Sequence, residues 1–141
     1  MLTTLLLASA VVALCGTVRR RLNRTDRAPC SFWQGRIRLT ALWNHGAAFG
    51  LPIPQEALVA SSAVGMLILL LRRGVSRLGA ALVIGGGLSN LAERLAHGKV
   101  YDYIQFPKAP GKCRRYVYNL ADFAVFFGLI ALLFHRKHPR K

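Results

Sequence analysis

The chain has 141 residues, of which 53% are hydrophobic, and its 20 Lys and Arg against five acidic residues give a formal net charge of +15. This length predicts one domain, and several long apolar runs predict an integral membrane protein. Nucleic-acid binding is disfavoured, because the cations cluster at the ends of apolar runs and no nucleic-acid-binding motif accompanies them.

Four apolar segments predict four transmembrane helices in a single integral membrane domain. Their spans are expected at about residues 2–18, 57–71, 78–96 and 118–134. The first segment resembles a secretory signal peptide in its position, but no Lys or Arg precedes it. We therefore interpret it as a transmembrane helix.

The polar stretch between the first two spans predicts a strand outside the membrane. Residues 36–43 alternate in part between polar and apolar side chains and include β-branched and aromatic residues. Residues 44–46 then form a turn, and Gly50 with residues 52–54 separates this stretch from the second helix.

The third span carries small residues at four-residue spacing, namely Ala81, Gly85 and Ser89. On a membrane helix such a face allows the backbone of a neighbouring helix to approach closely. The glycines at 85–87 are therefore expected to serve helix packing, and the absence of a following Lys-Ser or Lys-Thr pair disfavours a phosphate-binding loop.

Polar residues are expected to gather at one membrane surface, where the third span ends and the fourth begins. Asn90 and Arg94 share a helix face, as do Asn119 and Asp122, because residues three or four apart lie on the same side of a helix. Asp102 is expected in a short loop at this surface, and Asn44 in a loop that opens on the same side. Each polar residue other than the aspartates also has a structural interpretation, as a helix-bridging amide, a turn residue or an arginine that extends to the interface.

Two of these residues, Asp102 and Asp122, predict a paired-acid site. An ionisable group inside or at the edge of a membrane span is costly and indicates function. Two neighbouring carboxylates can share one proton and activate a water molecule. The four histidines lack the spacing of zinc ligands, and the serines lack partnered His and Asp residues in a recognisable order. The sequence thus predicts neither a metal nor a cofactor.

Four motifs in this order resemble those of the lipoprotein signal peptidases, the signal peptidase II family. Residues 44–50 resemble Asn-x-Gly-Ala-Ala-Phe, and residues 85–94 resemble Gly-Gly-x-x-Gly-Asn-x-x-Asp-Arg. Residues 98–104 are similar to Gly-x-Val-x-Asp-Phe, and residues 118–122 to Phe-Asn-x-Ala-Asp. One motif alone would be weak, but four that alternate with four spans cover most of the chain.

This resemblance implies an aspartic endopeptidase that removes signal peptides from prolipoproteins bearing a diacylglyceryl-cysteine. Asp102 and Asp122 would be the catalytic pair. The residues that would support the site and the substrate are Asn44, Asn90, Arg94 and Asn119. The implied fold is an all-α membrane protein of four transmembrane helices with a small extracytoplasmic β-platform. The implied location is the bacterial cytoplasmic membrane, with both termini in the cytoplasm and with lipids and the prolipoprotein as partners.

The chain also departs from the family pattern. The family has an acidic residue near the end of the first span, whereas residues 14–19 contain none, and Glu93 and Ser89 stand where Asp and Gly are usual. Since Glu93 keeps the charge, Glu93→Asp is expected to be tolerated. Two alternatives remain open: a non-catalytic relative that binds lipidated peptides, and a small membrane carrier that uses the same aspartates.

The positive-inside rule does not fix the orientation of the chain. Seven Lys and Arg lie in residues 19–56 and five in residues 99–115, both on the predicted outer side. The family topology therefore decides the expected orientation. A disulfide between Cys30 and Cys113 would be possible in an oxidising compartment, but three free thiols are the expected state.

Overall fold

The computed structural model describes residues 1–23, 29–46, 53–72 and 74–135 of the chain. This part forms four α-helices, one short 3₁₀ helix and a four-stranded antiparallel sheet. The elements in chain order are α1 (Leu2–Asn23), β1 (Cys30–Phe32), β2 (Ile37–Asn44), α2 (Gln55–Leu71), α3 (Arg77–His97), β3 (Val100–Gln105), the 3₁₀ helix (Gly111–Arg115), β4 (Val117–Tyr118) and α4 (Leu120–Leu133).

Helix α3 occupies the centre of the bundle, because its small residues let two neighbours approach. A Cβ atom at Gly85 would lie 2.7 Å from the Cβ of Val11 in α1. A Cβ atom at Gly86 would lie 2.6 Å from the carbonyl oxygen of Ala121 in α4. Ala81 is fully buried on the Gly85 face. The expected small-residue packing face of this helix is thus confirmed.

The sheet has the strand order β1-β2-β3-β4, and every neighbouring pair is antiparallel. The expected strand at 36–43 is confirmed as β2, which begins and ends one residue later. Helix α3 ends at His97 and is capped by Gly98, whose φ of 68° is left-handed and favours glycine, and β3 begins at Val100. This tight connection keeps β3 beside the end of α3, where the backbone N–H of Tyr101 donates to Glu93.

The helices expose many large apolar side chains. Leu6, Leu67, Phe126 and Phe127 each leave more than half of their surface uncovered. Within the described ranges, α1 is the one helix that is both long and apolar enough to cross a membrane, while α2 and α4 are apolar but shorter. The helix count matches the sequence prediction, whereas the number of spans stays a prediction.

The structure differs from the sequence prediction in three details of its elements. Asp102 was expected in a loop but is the third residue of β3, because the alternating Val-Tyr-Asp-Tyr-Ile segment pairs with β2. Tyr118 ends β4 instead of beginning the last helix, since Asn119 caps α4. Helix α1 continues to Asn23, past the expected end at residue 18, and so includes Arg19. Residues 47–50 of the first motif and the cationic tail from residue 136 lie outside the described residues.

Candidate active site

Asp102 is a buried carboxylate held by two side-chain amides. Its Oδ1 accepts a hydrogen bond from Asn119 Nδ2 at 2.8 Å, and its Oδ2 accepts one from Asn44 Nδ2 at 3.0 Å. Asn44 ends β2 beside β3, so the sheet positions both residues. Its own Oδ1 accepts the backbone N–H of Gly46 at 2.9 Å, which fixes the amide in the turn.

The surroundings of Asp102 favour its protonated form. Burial of the carboxyl and, second, the charge of Asp122 raise the pKa of Asp102 to about 6, although the amide hydrogen bonds from Asn119 and Asn44 act in the opposite direction. At pH values around 6 a carboxylic acid and a carboxylate can therefore coexist at this site.

Asp122 lies in the first turn of α4, where it forms a capping box with Asn119. Its Oδ2 accepts the backbone N–H of Asn119 at 3.0 Å, and its own N–H donates to Asn119 Oδ1 at the same distance. Asn90 Nδ2 donates to Asp122 Oδ1 at 2.9 Å. Both carboxylate oxygens thus face N–H donors at the positive end of a helix, an arrangement that suits a negative charge.

Asn119 connects the two aspartates. Its Nδ2 donates both to Asp102 and, at 3.1 Å, to Asn90 Oδ1, while its Oδ1 accepts from Asp122. Tyr103 adds a second link, because its hydroxyl accepts the backbone N–H of Leu120 at 3.1 Å and so joins β3 to the first turn of α4. Asn119 and Tyr103 are both nearly fully buried.

Arg94 reaches the same region with a weaker contact. Its Nη2 lies 3.4 Å from the carbonyl oxygen of Gly46, and its positive charge favours the ionised form of Asp122. Its own carbonyl oxygen accepts a hydrogen bond from Gln55 Nε2 at 3.1 Å, which ties α2 to the end of α3. A half-buried guanidinium in this position is able to bind a substrate carbonyl or an anionic group.

Glu93 has partners that sequence reasoning did not identify. Its Oε1 lies 3.1 Å from Arg19 Nη1, and its Oε2 accepts the backbone N–H of Tyr101 at 2.8 Å. The Glu93 side chain is 7% exposed and that of Arg19 is 26% exposed. Arg19 was missed because it begins a run of three arginines that indicates a membrane-flanking anchor. The one available signal was a glutamate inside an apolar helix, which requires a cationic partner.

The structure thus brings together all six residues expected from the sequence, Asp102, Asp122, Asn44, Asn90, Arg94 and Asn119. A continuous chain of hydrogen bonds joins five of them, and Arg94 approaches from the side of the Gly46 turn. Among the described residues, every buried side-chain nitrogen or oxygen has a hydrogen-bond partner. The site is therefore a preorganised network around two carboxylates.

The fold is that of known bacterial membrane enzymes. A bacterial membrane enzyme solved by the in meso method at 2.3 Å resolution superposes with a TM-score of 0.83 at 20% identity, covering 94% of this chain and 86% of its own. A second one, solved at 1.9 Å, gives a TM-score of 0.80 at 19% identity and covers 94% and 91%.

The family described as "Signal peptidase (SPase) II" matches residues 5–136. The lipoprotein signal peptidase of Nitrobacter hamburgensis is 35% identical in an alignment 119 residues long that covers 72% of this chain and 73% of the relative. That of Moorella thermoacetica is 37% identical in an alignment 104 residues long that covers 68% of this chain and 65% of the relative. The chain belongs to the signal peptidase II family, which is a family of proteases.

Proposed function

We propose that the chain is an aspartic endopeptidase of the cytoplasmic membrane that removes signal peptides from diacylglyceryl-modified prolipoproteins. The observation that carries this proposal is the pair of carboxylates that Asn119 links, with Asp102 held by side-chain amides and Asp122 held in a helix capping box. Family membership supports the reaction class, and the exposed apolar surfaces of the helices support a membrane location.

The proposed mechanism assigns a separate role to each aspartate. Asp122, as the carboxylate, takes a proton from a water molecule, and the oxygen of that water bonds to the scissile carbonyl carbon. Asp102, as the acid, donates a hydrogen bond to the carbonyl oxygen and stabilises its developing charge. When the C–N bond breaks, the proton that Asp122 took from the water passes to the leaving amine, which restores the Asp122 carboxylate. The pair titrates as a unit, since each charge affects the other.

The supporting residues keep the two carboxyl groups in these states. Asn44 and Asn119 hold Asp102 by both oxygens, and Asn90 orients Asp122. Arg94 would hold a substrate carbonyl or lipid ester beside the pair, because its fork of donors suits planar acceptors. In the proposed topology four helices cross the membrane, the sheet lies outside it, and both termini face the cytoplasm.

A cleavage assay tests the proposal on the purified full chain in lipid vesicles. We expect a diacylglyceryl-modified prolipoprotein to be cut and the same peptide without the lipid to be cut poorly. Asp102→Asn and Asp122→Asn should each lose at least about a thousandfold in turnover, because the amide cannot act as acid or base. Glu56→Gln removes an exposed carboxylate from the first turn of α2 and serves as the matched control.

Two results would contradict the assignment. Near-normal turnover of either aspartate variant would rule out the carboxylate pair. Binding of the lipidated peptide without cleavage by the parent chain would favour the non-catalytic alternative. The carrier alternative is disfavoured, because both aspartates lie at one end of the bundle and a carrier site lies near the membrane midplane.

A further inference from the structure

The sheet end of the molecule carries a cluster of exposed cations that the proposed reaction does not use. Its exposed members are Arg36, Arg38, Lys108, Lys112, Arg114 and Arg115. Asp102 is the one acidic residue within 29–46 and 99–118, and it is buried in the site. Within the described part of the chain, none of the six cations forms an ion pair with an acidic group. Among the described residues, this surface therefore presents positive charge that no acidic side chain compensates.

A groove lies within this surface, beside the turn between β1 and β2. It has a volume of about 350 Å³ and is lined by Arg36, Phe106, Lys108 and Ala109. Lys108 Nζ donates to the carbonyl oxygen of Gln34 at 2.7 Å, so this ammonium is fixed at the edge of the turn. The groove is thus lined by two cations and one aromatic side chain.

The groove lies close to the proposed membrane surface. The ring of Phe106 packs against that of Phe123 in the first turn of α4, with 6.1 Å between ring centroids. The apolar part of α4 begins at this turn, so the groove lies at the end of a helix that is proposed to cross the membrane. The adjoining turn exposes Phe32 and, with 75% of its surface uncovered, Trp33. Aromatic side chains of this kind favour the level of the lipid headgroups.

We propose that this groove binds the headgroup of an anionic phospholipid, with Arg36 and Lys108 contacting the phosphate and Trp33 resting in the interface. Charge complementarity carries the inference, because cations near a membrane surface attract anionic lipid and a guanidinium binds phosphate by two parallel hydrogen bonds. It also gives a physical reason for the many cations on the side of the active site, where the positive-inside rule does not expect them.

Lipid binding by the purified full chain in neutral detergent micelles tests this proposal. Dioleoylphosphatidylglycerol and dioleoylphosphatidylcholine are titrated separately, and bound lipid is counted by native mass spectrometry. We expect tighter binding of the glycerol lipid, and Arg36→Gln with Lys108→Gln should weaken it roughly thirtyfold. Arg72→Gln with Arg77→Gln is the matched control, since it removes two exposed cations, one directly after α2 and one at the start of α3, at the end of α3 away from the sheet.

Several results would overturn the proposal. Equal binding of both lipids by the parent chain would show that the groove does not prefer an anionic headgroup. If the control pair weakened binding as much as the groove pair, the binding would come from general charge attraction. Inorganic phosphate or an acidic peptide that displaced the lipid at comparable concentration would indicate a different ligand. Arg36→Lys with Lys108→Arg should keep most of the binding, and the thermal midpoint of each variant without lipid shows whether it is folded. No cleavage is measured, so the result is independent of the proposed protease activity.

Discussion

Asp102 and Asp122 are held by different kinds of partner. Among the described residues, side-chain amides hold Asp102, whereas the backbone of a helix terminus and one amide hold Asp122. This difference suits the proposed division into acid and base, because a helix N-terminus stabilises negative charge more than a buried strand does.

The pH dependence of cleavage should report the protonation of Asp102. Since the pKa of Asp102 is about 6 and the proposed mechanism needs it protonated, kcat/KM should fall as the pH rises through about 6. The hydrogen bond from Asn44 stabilises the carboxylate, so its removal in Asn44→Ala raises the pKa. We expect the alkaline limb to move upward by about one unit, in addition to a loss of rate. A limb that stayed in place or moved downward would show that Asp102 is not the acid.

At the scale of elements, Glu93 joins three parts of the fold. It lies on α3, pairs with Arg19 on α1 and accepts a hydrogen bond from Tyr101 on β3, the residue before Asp102. We infer that Arg19 is a positioning residue, since it orients the glutamate that holds the strand of the proposed acid. Both oxygens of Glu93 are occupied, which changes the expectation for its replacement.

Glu93→Asp should no longer be tolerated, because a side chain shorter by one methylene cannot keep both contacts. We expect a loss of roughly 1–3 kcal/mol in stability, the usual cost of a buried charged hydrogen bond, and a similar loss for Arg19→Gln. Arg19→Lys should recover part of it, and Arg20→Gln, at an exposed neighbouring arginine, is the control. Thermal unfolding of the four variants measures these stabilities. If the double variant of Arg19→Gln and Glu93→Asp is as stable as each single variant, the two residues act together. Full stability of Glu93→Asp would contradict the geometry.

The contact of α3 with α4 is a second feature at this scale, because it places Asp122 beside Asn90. Gly86→Ala should displace α4 next to Asp122, since the new Cβ would lie 2.6 Å from the Ala121 carbonyl oxygen. We expect a loss of at least about tenfold in turnover, as small displacements near a catalytic group commonly cause. Gly65→Ala in α2 meets nothing within 4 Å and should leave turnover unchanged. Equal activity of the two variants would mean that this close approach does not position the site.

At the scale of the whole molecule, the sheet and the proposed active site share one end of the bundle. The structure has three free thiols, as expected, with Cys15 buried and Cys30 and Cys113 exposed on the sheet side. These cysteines provide markers for the orientation of the chain.

Thiol labelling in intact cells tests the proposed topology. A maleimide that does not cross the cytoplasmic membrane should label Cys30 and Cys113 in intact cells. Where the cells have an outer membrane, it is permeabilised first. In a variant without native cysteines, His135→Cys should be protected until the inner membrane is opened, because it follows α4 at the opposite end. Ready labelling of His135→Cys in intact cells would show that the orientation is opposite to the one proposed. Protection of both native thiols would lead to the same conclusion.

The sequence by itself determined the helices, strand β2 and the six clustered polar residues, because these depend on local periodicity, small-residue spacing and motifs. It did not determine that Asp102 lies in a strand, since the pairing of β3 with β2 joins residues far apart in the chain. It also missed Arg19, whose charge acquires a specific role only when α1 packs against α3. Tertiary structure alone decided how Asn119 divides its hydrogen bonds between the aspartates and which cations surround the groove, because both depend on distances between elements that local sequence does not encode.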